Sequence, residues 1–270
     1  MITRPVLRYP GGKYQLAPWI VQHFPSHQVY VELYGGAGSV LMRKPRAMGE
    51  IYNDIDGDVL NVFQVLRDCC QAAELIRLLQ LTPYSFSEYK ASYEFTEDPV
   101  ERARRTIFRS FAGIGSDSVW ENNGFRGIRN NRGMTLAPGW ARYPLAVQAF
   151  IERLQGVVIE ERPAVHLIKT YRGSGHLLYA DPPYLKSTRT SESVRYTNEM
   201  SIDDHVELAG ALRKTVEKNG TMVVVSGYPS ELYEELYQGW RRVEHTGKLQ
   251  TGRKSVECLW LSPNIRTFMF

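Results

Sequence analysis

Residues 29–44 read VYVELYGGAGSVLMRK and combine a strand pattern, a glycine-rich turn and a helical pattern. VYVELY is rich in the β-branched and aromatic residues that strands favour. The glycines permit a tight turn and the close approach of a ligand, and the helix that follows would present free N–H groups. The stretch therefore predicts a β–α unit, with either a simple turn or a ligand-binding loop. Leu41 stands where a dinucleotide fingerprint needs its third glycine, which counts against a nicotinamide enzyme.

The chain on either side continues this alternation. EIYND (50–54) is a second short strand, and apolar residues at helical spacing predict one helix over 57–80. Further strands are predicted at 157–161, 176–181 and 221–228, further helices at 39–44, 146–155, 203–220 and 230–237, and a final antiparallel pair at 240–246 and 255–262. The pattern predicts the α/β class with a mainly parallel sheet.

Composition and length favour a globular protein of 270 residues, with 43% hydrophobic and 23% charged residues. The N-terminus lacks the apolar core of a signal peptide, and no run approaches the roughly 18 apolar residues of a membrane helix. Cys69, Cys70 and Cys258 lack zinc-like spacing, and the six histidines are scattered. We therefore expect a cytoplasmic protein with reduced thiols, no bound metal and no membrane contact.

Positive charge is concentrated inside the chain. The net charge is +4, yet residues 99–143 alone carry eight arginines and three acids. Arginine clusters suit phosphate contacts, although a solvated surface without a partner would have the same composition. The surrounding stretch 82–144 begins with helix-like segments and continues into a long irregular run rich in Gly, Asn and Arg, which predicts a small, mostly helical inserted subdomain.

Two acidic residues end predicted strands, at the sheet edge where open parallel sheets bind ligands. Asp54 closes the second strand and suits two ribose hydroxyls, although Asp54 or Asp56 could instead cap the next helix. YADPPY (179–184) closes a later strand abruptly, because neither proline can donate to a ladder. Asp181, the Pro182 carbonyl and the ring of Tyr184 would hold a planar base by its amino group.

Four motifs in this order resemble the Dam-type (D12 class, alpha group) DNA adenine-N6 methyltransferases: RYPGGK (8–13), VELYGGAGS (31–39), YND (52–54) and DPPY (181–184). The resemblance spans roughly residues 4–262 and is faint in 83–144. It implies a Rossmann-like methyltransferase sheet formed by 1–81 and 145–270, with 82–144 as the DNA target-recognition subdomain. It also implies S-adenosylmethionine as methyl donor and a flipped adenine in double-stranded DNA as acceptor.

The resemblance assigns roles to particular residues. The cofactor-binding set would be Tyr9, Lys13, Glu32, Gly36, Asp54, Ile55 and Asp181, and the catalytic set would be Asp181, Pro182, Pro183 and Tyr184. Tyr9 stands where housekeeping members of the family have tryptophan. If Asp181 and the Pro182 carbonyl accept the two amino hydrogens, the nitrogen lone pair is directed at the methyl group, and Tyr184 would stack on the base.

The basic insert would then read DNA. Arginine can pair with guanine and asparagine with adenine in the major groove, while other side chains hold phosphates. The candidate DNA-binding residues are Arg109, Asn122, Arg126, Arg129 and Arg132. Trp120 and Phe125 could each wedge into the gap left by a flipped base or belong to the core.

Several alternatives stay open from the sequence. An N4-cytosine methyltransferase commonly has Ser in place of Asp181, so adenine is favoured without excluding cytosine. A nucleic-acid-binding protein without catalysis would not need the intact PGGK, GGAGS and DPPY motifs. A single chain that carries its own insert predicts that a monomer can act. The sequence leaves open several recognition sequences and a role in restriction-modification, in regulation or in a phage. The basic loop 185–199 is expected to cover the flipped base.

Overall fold

The computed structural model describes residues 2–127, 135–188, 197–248 and 254–265. Within these ranges the chain forms one sheet of seven strands. In chain order they are β1 Val29–Glu32, β2 Gly49–Asn53, β3 Val157–Glu160, β4 His176–Ala180, β5 Met222–Gly227, β6 Arg241–Lys248 and β7 Lys254–Leu261. Their spatial order is β3-β2-β1-β4-β5-β7-β6, with β7 antiparallel to both of its neighbours and the remaining pairs parallel. The predicted α/β class and final antiparallel pair are confirmed.

Helices flank the sheet. They are α1 Ala17–Val21, α2 Ser39–Arg43, α3 Gly57–Arg67, α4 Cys69–Leu81, α5 Phe86–Ala91, α6 Pro99–Ala112, α7 Ala137–Ala141, α8 Pro144–Leu154, α9 Ala164–Thr170, α10 Ile202–Asn219 and α11 Glu231–Leu236. Short 3-10 turns occupy Asp117–Val119 and Lys186–Thr188. In the ranges that the structure describes, each helix is too short or too polar to span a membrane.

The pairing of β1 with β4 positions the functional loops. Val29 lies opposite His176 and Glu32 opposite Tyr179 in a parallel register, although about 140 residues separate the two strands along the chain. The chain order reverses across this pair, because β2 and β3 lie on one side and β5 on the other. Ligands bind at such a switch point, outside the carboxyl ends of the strands. The glycine loop after β1 and Asp181 after β4 therefore emerge at the same edge.

The helix predicted over 57–80 is wrong as one element, because the chain divides it at Asp68. Asp68 has an extended backbone (φ −89°, ψ 122°), and its carboxylate accepts hydrogen bonds from the N–H groups of Cys70 and Gln71. An aspartate N-cap satisfies the free donors at a helix start, and this local preference ends α3 and begins α4 although the apolar spacing continues.

The core lies on both faces of the sheet. One buried cluster contains Tyr30, Tyr52 and Phe63, and the other contains Val31, Leu178 and Trp260, as expected when successive strand residues point to opposite faces. Residues of α6 belong to the first cluster, so the insert packs on α3 and α4 and shares their core. The division into a catalytic domain and a subdomain at 82–144 stays a prediction.

A buried ion network connects α8, the helix that follows the insert, to β2 of the sheet. The carboxylate of Glu50 on β2 lies 2.7 Å from Lys44 Nζ and 2.6 Å from Arg153 Nη1 on α8, and its side chain is 2% exposed. Burial alone would raise the pKa of Glu50, but the hydrogen bonds from Arg153 and Lys44 outweigh it and bring the pKa below its usual value. A paired, buried carboxylate of this kind contributes little over an apolar contact but is costly to break.

We expect Glu50→Ala to lower the free energy of unfolding by about 3–5 kcal/mol, because it leaves two buried cations without their partner. Glu74→Ala is the matched control, since Glu74 pairs with Arg77 on the exposed face of α4 and its loss should change little. Urea unfolding of both variants at pH 7 measures the difference. Equal stability of the two variants would contradict a structural role for the Glu50 network.

Candidate active site

A cavity of about 290 Å³ lies at the carboxyl edge of β1 and β4. Segments that are far apart in sequence form its wall, namely residues 9–13, 34–37, 39–40, 54–55, 163–165 and 198–200, together with Glu32, Asp181, Pro183, Asp204 and Glu207. All seven residues of the predicted cofactor-binding set, including Asp181, contribute to this wall. The structure therefore brings the PGGK, glycine-loop and DPPY motifs together around one space.

Glycine is required where the loop lies against tyrosine rings. Gly36 has a φ of +48°, and a Cβ there would come within 2.9 Å of the Tyr9 ring. A Cβ on Gly35 would lie 2.2 Å from the ring of Tyr52. Any side chain would push the loop off these rings, so the glycines allow the backbone to form the floor of the cavity.

Glu32, at the end of β1, is a buried acid facing this cavity. Its Oε2 accepts hydrogen bonds from the Tyr30 hydroxyl and the Leu41 N–H, each at 2.8 Å. Burial is the main reason that the pKa of Glu32 rises to about 8, and the nearby charge of Asp181 adds to it. Ser39 also lines the cavity, and its buried Oγ has no hydrogen-bond partner among the described residues. The Glu32 carboxyl group and the Ser39 hydroxyl could each form a hydrogen bond with a polar ligand in the cavity.

Asp54, at the end of β2, holds the glycine loop in place. Its Oδ2 accepts the Gly36 N–H at 2.6 Å and its Oδ1 accepts the Asp56 N–H at 2.8 Å. Burial raises the pKa of Asp54 to about 6. Each carboxylate oxygen retains acceptor capacity toward the cavity, which Ile55 also lines. The capping role that the sequence left open between the two acids falls to Asp56, whose Oδ1 accepts from Asp58 and Val59 at the start of α3.

Two neighbours fix the carboxylate of Asp181. Ser226, the penultimate residue of β5, donates to Oδ1 at 2.6 Å, and Lys13 Nζ lies 3.0 Å from Oδ2. The Asp181 side chain is 17% exposed, whereas that of Lys13 is 4% exposed. The motif pattern did not identify Ser226, although its place at the carboxyl end of the strand beside β4 is a signal that could have done so.

Tyr184 is buried and held on several sides. Its hydroxyl donates a hydrogen bond to Glu257 Oε2 at 2.9 Å. Lys13 Nζ lies 4.6 Å from its ring centroid, and the ring of Tyr228 packs edge to face against it with 4.6 Å between the two centroids. Burial raises the pKa of Glu257 above its usual value. Glu257 lies on β7 and Tyr228 directly follows β5. Sequence analysis missed both, because neither belongs to a recognisable motif.

The residues predicted to bind DNA lie in different environments. Arg126 lines a cleft of about 1210 Å³ together with Arg8 and Phe125, and this cleft shares Tyr9, Gly12 and Ser39 with the first cavity. Asn122 is exposed on the insert. Arg129 and Arg132, like most of the basic loop 185–199, lie outside the described residues.

The DNA contact predicted for Arg109 does not fit its position. Arg109 is 8% exposed, pairs with Asp58, and donates to the backbone oxygens of Val119 and Ser92. Its guanidinium therefore has bonding partners inside the protein. Charge counting could not distinguish this arginine from surface ones, since the pairing depends on how α6 packs on α3.

The two candidate wedge residues lie against the protein. Phe125 packs among Tyr84, Phe86 and Tyr89. Trp120 donates its ring N–H to Asp56 Oδ2 at 2.5 Å and meets the Tyr9 ring edge-on at 5.1 Å. The structure thus places Phe125 in an aromatic cluster of the insert and Trp120 behind Tyr9, a residue of the cavity wall.

Known proteins resemble this chain over most of its length. A DNA adenine methylase of Vibrio cholerae serotype O1 is 26% identical over 246 residues, which cover 87% of this chain and 85% of that protein. A DNA adenine methylase of Escherichia coli strain K12 is 25% identical over 250 residues, covering 87% and 84%. A putative rRNA methylase structure from Clostridium thermocellum aligns over 93% of this chain and 97% of its own at 10% identity, with a TM-score of 0.38 that adds no support to the fold.

A family model covers nearly the whole chain. The model of the D12 class N6 adenine-specific DNA methyltransferases matches residues 9–251, from the PGGK motif to the loop between the last two strands. This range contains the glycine loop, Asp54, and Asp181 and Pro183 of DPPY, all of which contribute to the cavity wall. The chain therefore belongs to the D12 class N6 adenine-specific DNA methyltransferase family, whose members transfer a methyl group to the N6 atom of adenine in DNA.

Proposed function

We propose that this chain uses S-adenosylmethionine to methylate the N6 amino group of an adenine extruded from duplex DNA. The observation that carries the proposal is the Asp181 carboxylate, which Ser226 and Lys13 hold at the edge of a cavity that Glu32 and Asp54 also line. One side of this arrangement suits a donor with an amino-acid end and a ribose, and the other suits a base amino group.

The residues of the cavity fit the donor. Glu32 can bind its ammonium group, and Asp54 can accept from the ribose hydroxyls. The Ser39 Oγ, which has no hydrogen-bond partner in the described part of the chain, offers a hydroxyl to its carboxylate. Ile55, which is 46% exposed, offers an apolar surface to its adenine. When bound, S-adenosylmethionine supplies an electrophilic methyl group on a positively charged sulfur.

Asp181 prepares the acceptor nitrogen. The lone pair of an adenine amino group is conjugated with the ring and is a poor nucleophile. If Asp181 Oδ2 and the Pro182 carbonyl accept the two amino hydrogens, they draw the nitrogen toward a tetrahedral geometry and align its lone pair with the methyl group. Asp181 also stabilises the positive charge that develops on nitrogen, and Ser226 keeps its carboxylate from rotating. The amino proton can leave after transfer.

Tyr184 and Lys13 would hold the extruded base. Stacking on Tyr184 offsets part of the cost of unstacking the base from the duplex. The ammonium group of Lys13 lies over the Tyr184 ring, beside Asp181 and 2.6 Å from the Gly11 carbonyl oxygen, so it must shift for a base to stack on that ring. The adjoining cleft that Arg8 and Arg126 line would receive the flanking DNA.

We expect Asp181→Ala to reduce methyl transfer by at least about a hundredfold, because the interaction that orients and stabilises the reacting nitrogen is lost. The measurement is transfer of labelled methyl from S-adenosylmethionine to unmethylated genomic DNA, followed by nucleoside mass spectrometry. Wild-type enzyme should produce N6-methyladenine, and Asp203→Ala, at an exposed position in the first turn of α10, should match it.

Near-wild-type turnover by a folded Asp181→Ala protein would refute the role of Asp181. N4-methylcytosine as the product of the wild-type enzyme would refute the proposed acceptor while leaving the donor in place.

Donor binding should release a proton at pH 7. The pKa of Glu32 is about 8 without a ligand, so its carboxyl group is largely protonated at pH 7, and a bound ammonium group favours the ionised form. Donor affinity should therefore increase as the pH rises from 6 to 8. Calorimetry at pH 7 in buffers with different ionisation enthalpies measures the released protons, and Glu32→Gln should abolish the release. Equal proton release by Glu32→Gln and wild-type enzyme would assign the effect to another group.

Arg126→Ala should weaken duplex DNA binding more than donor binding and reduce the dependence of binding on salt by about one released counterion. The same result is predicted for Arg129→Ala and Arg132→Ala. Arg77→Ala is the control, because Arg77 lies on the exposed face of α4 and is 57% exposed. Fluorescence anisotropy with labelled duplexes at several salt concentrations tests this placement, which equal affinity in all four variants would disprove.

A further inference from the structure

Trp120 connects the DNA-reading insert to the wall of the donor cavity. It follows the 3-10 turn Asp117–Val119, and its ring N–H lies 2.5 Å from Asp56 Oδ2. The rings of Trp120 and Tyr9 pack edge to face, with 5.1 Å between their centroids and 74° between their planes. One side chain of the insert thus contacts two segments that are adjacent to the cavity or part of it.

Asp56 and Tyr9, the two partners of Trp120, are each in contact with the loop that would bind the donor. The Asp56 N–H donates to Asp54 Oδ1, and Asp54 Oδ2 accepts the Gly36 N–H. Gly36 in turn lies against the Tyr9 ring, where even a Cβ atom would come within 2.9 Å. Trp120, Asp56, Asp54, Gly36 and Tyr9 therefore form a closed circuit of contacts around one side of the cavity.

Arg109 holds Trp120 in this position. Its Nε donates at 2.5 Å to the carbonyl oxygen of Val119, the residue before Trp120, while its terminal nitrogen pairs with Asp58. Asp56 and Asp58 are two residues apart at the start of α3, so the insert is attached there at two points. The buried arginine that was predicted to contact DNA instead fixes the backbone from which Trp120 extends.

We propose that Trp120 is a positioning residue through which the insert completes the donor site. Asp56 is 5% exposed, so its carboxylate depends on partners within the protein, and the Trp120 N–H supplies one while Asp58 and Val59 supply others. Without this hydrogen bond Asp56 Oδ2 loses its Trp120 partner, while the Asp58 and Val59 N–H groups still hold Oδ1. The turn from Asp54 to Asp56, and with it the hydrogen bond from Gly36 to Asp54, then loses one restraint. The inference rests on the proposed function, in which S-adenosylmethionine is the donor.

The test is the dissociation constant of S-adenosylmethionine, measured by calorimetry without DNA. Trp120→Phe keeps an aromatic edge for Tyr9 but removes the N–H, and should weaken donor binding by about tenfold, the equivalent of one hydrogen bond to a charged acceptor. Asp56→Asn retains a helix cap while placing a neutral amide opposite the Trp120 N–H, and should weaken binding similarly. Trp19→Phe is the matched control, because Trp19 packs against His23 and His245, which do not line the cavity.

Two further readouts separate positioning from general destabilisation. In steady-state assays the loss in Trp120→Phe should fall on KM for the donor rather than on kcat. The chain has five tryptophans, and the change in their fluorescence on donor binding should largely disappear in Trp120→Phe and persist in Trp19→Phe. Donor affinity in Trp120→Phe equal to that of wild-type enzyme would overturn this inference and leave the proposed function intact. Failure of the wild-type enzyme to bind the donor would overturn both.

Discussion

The parallel pairing of β1 with β4 is the constraint on which the whole site depends. It places Glu32 and the glycine loop beside Asp181, although these residues are about 150 positions apart in the chain. The insert and β3 lie between them in sequence. Because hydrogen-bonded strands are about 4.8 Å apart, the loops that follow β1 and β4 begin as immediate neighbours at the edge of the sheet.

The charges of the cavity favour a cationic ligand. Glu32, Asp54 and Asp181 face the same space, and burial raises the pKa of the first two because their ionised forms lose hydration. A donor that carries positive charge on sulfur and nitrogen would restore favourable interactions to these carboxylates when it binds. Methyl transfer removes the charge on sulfur, so the same carboxylates would hold the product less strongly than the donor.

The sequence predicted the strands, the sheet edge and the motif residues because these depend on local patterns. VYVELY, EIYND and HLLYAD are short runs rich in strand-forming residues, so the positions of Glu32, Asp54 and Asp181 at or near their ends could be predicted. Ser226, Glu257 and Arg109 could not be assigned, because their partners come from distant strands and helices. The break at Asp68 was missed for the opposite reason, since one capping side chain prevailed over a regular apolar pattern.

The difference between local patterns and distant contacts also explains why the sequence predicted the insert only in part. Its arginines look alike in sequence, yet Arg109 is enclosed by Asp58 and two carbonyl groups while Arg126 lines a cleft that adjoins the cavity at the sheet edge. Buried Arg109 stabilises the 3-10 turn through its hydrogen bond to Val119, whereas Arg126 at the cleft can bind a polyanion. An insert fixed in this way to the start of α3 cannot shift on binding DNA without moving the segment that carries Asp54. Recognition of DNA and binding of the donor would then be linked through the packing of α6 on α3, with no hinge required between them.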